Sequence, residues 1–235
     1  NVTVADDGSW TLPVASDQVS AGQQVSLSFA AIDANNNQAS ASLILNTVEV
    51  NENPVQMANR ITFGITPLML SQIKAGTDIL SQQLFDQNLD DSELENELSG
   101  VQPQSLGDLQ RQVMYRMIKS RKQLREVMTW FWENHFNTSF GSHDNVQFEF
   151  NENNQFRQLA LGRFEDLLLA SAKSPAMIYY LNNAENVKGA ANENYAREIM
   201  ELHSMGVDGG YTDSDVAELS KIFTGWHEQN GAFFF

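Results

Sequence analysis

The sequence predicts a mainly α-helical domain preceded by a small β module of the immunoglobulin-like sandwich type. Up to about residue 48, polar and apolar residues alternate with a period of two, which is typical of half-buried strands. Beyond Pro54 the apolar spacing changes to three and four residues, which is typical of amphipathic helices. Residues 1–59 also contain no Lys or Arg, so the two parts differ in charge as well as in period.

The β module is predicted from four short segments, residues 2–4, 10–12, 24–29 and 39–45, which are separated by turns rich in Asp, Asn and Gly. Residues 4–10 (VADDGSW) and 31–37 (AIDANNN) resemble bacterial immunoglobulin-like modules. Such a sandwich needs about seven strands over about 100 residues. We therefore expect residues 1–48 to be a partial module that lacks its first strands, with an unrelated β-rich cap as the alternative. Residues 49–54 are the predicted linker, because Pro54 disfavours helix at the residue before it.

The helical domain is predicted to cover residues 55–235. Thr66 followed by Pro67 opens a helix, since proline is favoured in the first turn, and residues 79–84 form another. Residues 86–107 are acidic and weakly periodic, which indicates a solvated loop or mobile region. Ser120 and Gln123 have capping-box spacing, so a separate helix should begin after Ser120.

The helix after Ser120 carries the first candidate site residue. Leu124, Met128, Phe131 and His135 share one stripe at helical spacing, which places His135 on the core side near a helix C-terminus. His135 is then either a satisfied core histidine or a functional group. The aromatic residues of the same segment allow the same two readings, core packing or a ligand site: Trp130, Phe131, Trp132 and Phe136.

A second candidate cluster lies in residues 192–205. At about 100° per residue, Tyr195, Ile199 and Leu202 share an apolar face, and Glu198 lies inside its edge. A carboxylate in that position needs a partner, so we expect Glu198 to be buried and bonded to a cation or an amide. Arg197 and Glu201 are predicted to form an exposed i,i+4 ion pair. Either Asn192 or Asn194 should cap the helix by accepting a backbone N–H.

Several ordered segments resemble the bacterial domain-of-unknown-function family 1800. They are residues 60–67 (RITFGITP), 128–136 (MTWFWENHF), 160–168 (ALGRFEDLL), 174–177 (SPAM), 180–182 (YLN), 192–198 (NENYARE), 202–206 (LHSMG) and 223–226 (FTGW). The resemblance covers residues 54–235 and implies a large, mostly helical domain that often occurs in exported bacterial proteins. It implies no catalytic residue. Members of the family run past residues 231–235, so we expect the chain to be a fragment of that domain.

Composition limits the function classes. A net charge of −16 and a pI of about 4.4 argue against nucleic acid and anionic membranes as partners, since both attract clustered cations. We expect no transmembrane helix, because no long apolar run occurs. With no cysteine, disulfides and thiolate chemistry are excluded. One basic cluster precedes the tryptophan-rich helix, and it either pairs with acidic residues 90–97, lies in solvent, or recognises an acidic partner: Arg111, Arg116, Lys119, Arg121, Lys122 and Arg125.

Two function hypotheses follow. In the first, the chain is an exported, periplasmic or cell-surface protein in which β modules present the helical domain to a polymer or protein partner. In the second, it is an exported enzyme, such as a hydrolase, with His135, Glu198 and Arg197 as catalytic candidates. The substrate-binding candidates are then Asn192, Asn194 and Trp132. A metal variant would use His203, Glu198 and Glu201, although one helix does not present all three to one ion. The sequence determines neither cofactor nor oligomeric state.

Overall fold

The computed structural model describes residues 53–235 and the backbone of two earlier strands. These are β1 (Gln24–Ile32) and β2 (Gln38–Asn46), which pair antiparallel with Gln24 opposite Asn46 and Ile32 opposite Gln38. The strands predicted at residues 24–29 and 39–45 are therefore confirmed. The predicted strands at residues 2–4 and 10–12 lie outside the described residues, and so does most of the immunoglobulin-like assignment. The chain divides into two compact units, Asn1–Asn53 and Pro54–Phe235.

The second unit is built from helices, as predicted. In order they are α1 (Pro54–Ile61), α2 (Pro67–Lys74), α3 (Ile79–Leu84), α4 (Ser92–Leu98), α5 (Leu106–Lys119), α6 (Gln123–His135), α7 (Val146–Leu159), α8 (Phe164–Ala172), α9 (Pro175–Tyr180), α10 (Asn194–Glu198) and α11 (Asp213–Ile222). Short 3₁₀ turns occur at Asp86–Asn88, Phe140–Ser142 and Asn183–Glu185. Between residues 108 and 205, all of which are described, the β pairing is one isolated bridge, Val187 with Ala190.

The described chain ends in a small β-hairpin that we did not predict from the sequence. It pairs β3 (His227–Gln229) with β4 (Ala232–Phe234). Asn230 and Gly231 form its turn with φ of 54° and 84°, and positive φ at both positions is what a two-residue hairpin turn requires. The Asn-Gly pair was the local sequence signal for this hairpin.

Local capping explains where several helices begin. Thr66 accepts a hydrogen bond from the backbone N–H of Met69 at 3.1 Å, and Pro67 occupies the first turn of α2. Separate helices α5 and α6 meet at Ser120, as predicted, although the contact differs from a capping box. The Gln123 side-chain amide donates to the carbonyl of Ser120 at 2.8 Å, while the Ser120 hydroxyl accepts from the N–H of Lys122 at 3.0 Å.

The prediction that residues 86–107 form a solvated loop is wrong. This segment contains a 3₁₀ turn and α4, whose carboxylates have partners elsewhere in the fold. Glu95 lies 2.7 Å from Arg116 and 3.0 Å from Arg157, and Asp86 lies 2.6 Å from Arg125. Part of the basic cluster is therefore paired internally, which is one of the alternatives that the sequence left open.

Two hydrophobic clusters form the core of the second unit. The larger one is made by α6–α11 and contains Phe136, Phe156, Leu167, Ala172, Met177, Tyr195, Ala196, Val216 and Phe223. The smaller one joins α1, α3 and α6 through Ala58, Ile61, Ile79 and Leu124. Within the part of the chain that the structure describes, every helix is too short or too polar to cross a bilayer.

Candidate acid–base pocket

The helix that carries most of the predicted site residues changes its winding. α10 continues directly into a π-helical turn, Ile199–Ser204, in which hydrogen bonds run from i+5 to i, as from Met205 N to Met200 O at 2.9 Å. The wider turn rotates the later side chains away from the 100° spacing. Leu202, predicted on the buried face, is 59% exposed, whereas His203 is 5% exposed. The predicted face is therefore wrong for Leu202 but correct for Tyr195, which is buried.

The same change of winding separates Arg197 from its predicted partner. Arg197 pairs with Asp213 at 3.1 Å and Glu193 at 3.4 Å, so the predicted ion pair with Glu201 is wrong, because i,i+4 contact depends on 3.6 residues per turn. Glu198 is half-buried. It makes no hydrogen bond or ion pair with any residue that the structure describes, so its predicted cation or amide partner is also wrong. The catalytic roles suggested for Arg197 and Glu198 stay predictions.

The two asparagines predicted to bind substrate both take part in local structure. The Asn192 side chain accepts from the N–H of Asn194, the first residue of α10, at 3.0 Å, although the N-cap position is Glu193, which makes no side-chain cap bond. Asn194 donates to the Asn182 side chain at 3.3 Å. The Asn192 N–H donates to the buried side chain of Asn186 at 3.0 Å, and Asn186 donates in turn to the Ser220 carbonyl at 2.8 Å. These contacts fasten the loop before α10 to α11, and the binding roles stay predictions.

His135 contacts the second candidate segment near the end of that segment, at the backbone of the π turn. Its Nε2 lies 3.1 Å from the backbone carbonyl of His203, and the two rings are 6.1 Å apart. The partner is therefore a carbonyl in the π turn and not Glu198 or an amide. Burial, reinforced by His135, lowers the pKa of His203 to about 4. Trp132 packs against the larger core cluster, and its indole donates to the Ala160 carbonyl at 3.0 Å.

A pocket of about 360 Å³ between α5, α6 and α7 contains acidic groups that the sequence analysis missed. Each helix contributes one face. Apolar residues of α5 at helical spacing form one wall, including Leu109, Val113 and Met117. The wall from α6 contains Glu126, Thr129, Trp130 and Glu133. The wall from α7 contains Glu149 and Asn153. A mainly apolar cavity of this size with a few polar groups is typical of small-ligand sites.

Among the carboxyl groups that line the pocket, Glu133 has the pKa that is shifted most. It is half-buried in the pocket wall, and the Asn153 side-chain amide donates to its Oε1 at 3.4 Å. Burial, with the nearby negative charge of Glu149, raises the pKa of Glu133 to about 7. A carboxyl group that is substantially protonated at neutral pH is suited to donating a proton to a bound ligand.

Glu149 is held in place by the loop between α6 and α7. The backbone N–H of Asn145 donates to Nδ1 of His143 at 3.0 Å, so the ring proton lies on Nε2. That Nε2–H donates to Glu149 Oε1 at 3.0 Å, and the His143 side chain is only 1% exposed. The Thr138 hydroxyl lies 3.4 Å from both oxygens of Glu149 and 3.3 Å from Oε2 of Glu152, and it has one proton to donate. His143 is therefore the donor that holds the Glu149 carboxylate at the pocket wall.

Glu152 lies deeper, one turn along α7 from Glu149. It is 3% exposed, and its Oε2 lies 3.3 Å from the Thr138 hydroxyl, which also faces Glu149. Burial, and then the charge of Glu133, raise the pKa of Glu152 well above its usual range. Its Oε1 and the hydroxyl of Tyr195 have no hydrogen-bond partner among the described residues. The acidic side of the pocket therefore continues inward as a buried polar layer, which lowers stability because buried polar groups are usually paired.

The sequence did contain a signal for this pocket. Glu126, Thr129 and Glu133 follow helical spacing in α6, as do Glu149 and Asn153 in α7. We predicted instead that the apolar stripe of α6 faces the core, and this prediction is wrong for Phe131, which is 51% exposed. The polar side chains of α6 line a pocket only because α5 and α7 pack beside them.

A metal site would need a group of three or more His, Asp or Glu side chains close together. In residues 53–235 the structure shows no such group arranged to hold a metal ion. The segment nearest to a calcium loop, residues 208–215, ends in a capping box. Thr212 and Asp215 bond to each other's backbone N–H at 3.3 and 2.8 Å.

Comparison with protein families gives one assignment. The model of the family described as "Protein of unknown function (DUF1800)" matches residues 56–235. The chain belongs to this family. No curated protein and no solved structure matches the chain.

The pocket of this DUF1800 domain is lined by two carboxyl groups from neighbouring helices, Glu133 of α6 and Glu149 of α7. Burial raises the pKa of Glu133 to about 7, whereas Glu149 accepts a hydrogen bond from His143. Two titratable groups placed in different environments are what acid–base catalysis requires. Arg116 supplies positive charge at the same wall, where it is already engaged with Glu95.

Proposed function

We propose that this DUF1800 domain is a hydrolase in which Glu133 is the general acid and Glu149 the general base. The observation that carries the proposal is the convergence of both carboxyl groups on one mainly apolar pocket of about 360 Å³. The pocket is favoured over the predicted centre at His135 and Glu198. His135 Nε2 already bonds to a carbonyl, and Glu198 has no partner in the described chain that would orient it.

The proposed reaction moves two protons and breaks one bond. Glu133 donates its proton to the oxygen that leaves with one half of the substrate, as that oxygen's bond to carbon breaks. A water molecule forms the new bond to this carbon and gives a proton to Glu149. Transfer of that proton back to Glu133 through solvent restores the enzyme, so the net change is addition of one water across the bond. Asn153 positions Glu133, and His143 positions Glu149.

We further propose that the protein acts outside the cytoplasm and that its β strands belong to a module presenting the helical domain. The absence of cysteine suits a protein that meets oxidising surroundings, and the net charge of −16 disfavours nucleic acid as a partner. Fractionation of cells producing the natural protein tests the location. Recovery in the cytoplasmic fraction alone would contradict it.

Hydrolysis is tested with the purified chain on chromogenic 4-nitrophenyl esters and glycosides, over a range from acidic to alkaline pH. We expect turnover of at least one class, with a rate that depends on a group titrating near neutral pH. On the corresponding alkyl esters and glycosides, whose leaving oxygen needs a proton, Glu133→Gln should lower the rate by about 10²–10⁴-fold, the usual contribution of general acid catalysis. Glu185→Gln is the matched control, because Glu185 is exposed and does not line the pocket. Equal rates for the two variants would contradict the role of Glu133.

A further inference from the structure

A second cavity adjoins the acid–base pocket. It measures about 790 Å³ and lies between the α1–α2 connection, α3 and the end of α5. Met117 lines both cavities. The ring of Phe63, in the wall of the second cavity, packs against the ring of Trp130, in the wall of the pocket, at 6.2 Å. Met117 and this ring pair therefore lie in the wall between the two cavities, which we call together the groove.

The second cavity has polar groups that the fold does not use. The side-chain amides of Gln72, Gln82 and Asn88 line it, and none of them bonds to a residue in the described chain. The neighbouring Gln83 and Gln123 differ, because their amides bond to backbone groups of α5, α6 and the α1–α2 connection. Free amides that both donate and accept are thus concentrated on one side of the groove.

Exposed aromatic faces lie between the two cavities. Trp130 is 54% exposed and Phe63 is 41% exposed. Charge at the rim is mixed: Lys119 and Arg121 are present together with Asp90, and Arg121 lies close enough to lower the pKa of Asp90, after the larger effect of hydrogen bonds from Ser92. The groove therefore combines flat apolar surfaces and free amides with little net charge at its edge.

We propose that the groove binds a linear, uncharged oligosaccharide that extends from the second cavity across Met117 to Glu133. A pyranose ring has two C–H faces that pack on aromatic rings and a rim of hydroxyl groups that pair with amides. This inference rests on the proposed hydrolase function and specifies its substrate class, so the bond broken is glycosidic. The leaving oxygen takes the proton of Glu133, and water adds to the sugar carbon with loss of its proton to Glu149.

The test measures binding as a function of chain length, with turnover blocked by Glu133→Gln. Calorimetry is performed with di-, tetra- and hexasaccharides of cellulose, chitin, xylan and starch. We expect at least about tenfold tighter binding of the hexasaccharide than the disaccharide for one linkage type, as one or two added hydrogen bonds would give. Adding Gln82→Leu should remove this gain and leave disaccharide binding unchanged. Gln155→Leu is the control, because Gln155 is exposed and lines neither cavity.

The other outcomes distinguish a failure of the oligosaccharide groove from a failure of the proposed hydrolase. Hydrolysis of esters alone, or of aryl glycosides without any gain in affinity with length, keeps the acid–base site and overturns the oligosaccharide groove. Self-association that buries Phe63 and Trp130 also overturns it, since a second copy would then occupy the groove. A length-dependent gain that Gln82→Leu abolishes, without any turnover, supports the groove and overturns the hydrolase. If Gln82→Leu fails to fold, Gln72→Leu takes its place.

Discussion

Replacing Glu133 by Gln should make the protein more stable, and increasingly so as the pH rises. Burial and Glu149 raise the pKa of Glu133 from 4.5 to about 7 in the folded protein. Between these two values the unfolded chain releases the proton and the folded protein keeps it, so the folded state binds more protons and the wild type loses stability as the pH rises. Glutamine stays neutral, retains its contact with Asn153 and does not take part in this loss.

The size of the effect follows from the difference between the pKa of Glu133 in the folded protein and in the unfolded chain. Each unit of pH between the two pKa values is worth about 1.4 kcal/mol, so the advantage of Glu133→Gln should approach about 3 kcal/mol above pH 7. At about pH 5 the advantage should stay below about 1 kcal/mol. Urea unfolding of both proteins at several pH values measures the difference, with Glu185→Gln as a variant that should show no pH trend. An advantage for Glu133→Gln that is the same at about pH 5 and about pH 8 would refute the assignment of a raised pKa to Glu133.

Three further predictions concern stability and are measured by urea unfolding. Asp86→Ala removes the partner of Arg125, at 2.6 Å with Asp86 only 3% exposed, and should cost about 3 kcal/mol; a loss below about 1 kcal/mol would show that the pair is solvated. Glu198→Ala should cost less than about 1 kcal/mol, because Glu198 has no partner in the described chain; a larger loss would reveal one. The pKa of His203 is lowered from 6.5 to about 4 by burial, then by His135, so the wild type should lose up to about 3 kcal/mol as the pH falls between these values; His203→Leu should lack this loss, and parallel acid profiles would contradict it.

The sequence was sufficient for those features that depend on neighbouring residues. Thr66 and Pro67 fix the start of α2, and Thr212 caps α11, because each cap is formed within one turn. The acidic segment that contains α4 was misassigned for the opposite reason. Its helix is stabilised by Arg116 and Arg157, which lie far along the chain and bond to Glu95.

The site was less predictable because its residues lie on separate helices. The contact between His135 and the His203 carbonyl depends on a π turn that no residue pattern indicated. Glu133 and Glu149 were missed because each is ordinary within its own helix. Their effect on one another, and the raised pKa of Glu133, arises only when α6 and α7 pack together beside α5.

The orientation of α6 favours the hydrolase over a purely structural role for this domain. A helix that only stabilised the fold would bury its aromatic residues and expose its carboxylates. α6 does the reverse on one side: Glu126 and Thr129 are buried, while Trp130 is 54% and Phe131 51% exposed. Burial raises the pKa of Glu126 as well as that of Glu133, so this arrangement lowers stability at neutral pH. Local departures of this kind from the rules of stable packing are expected at functional sites, and in this fold they surround a pocket large enough to hold a ligand.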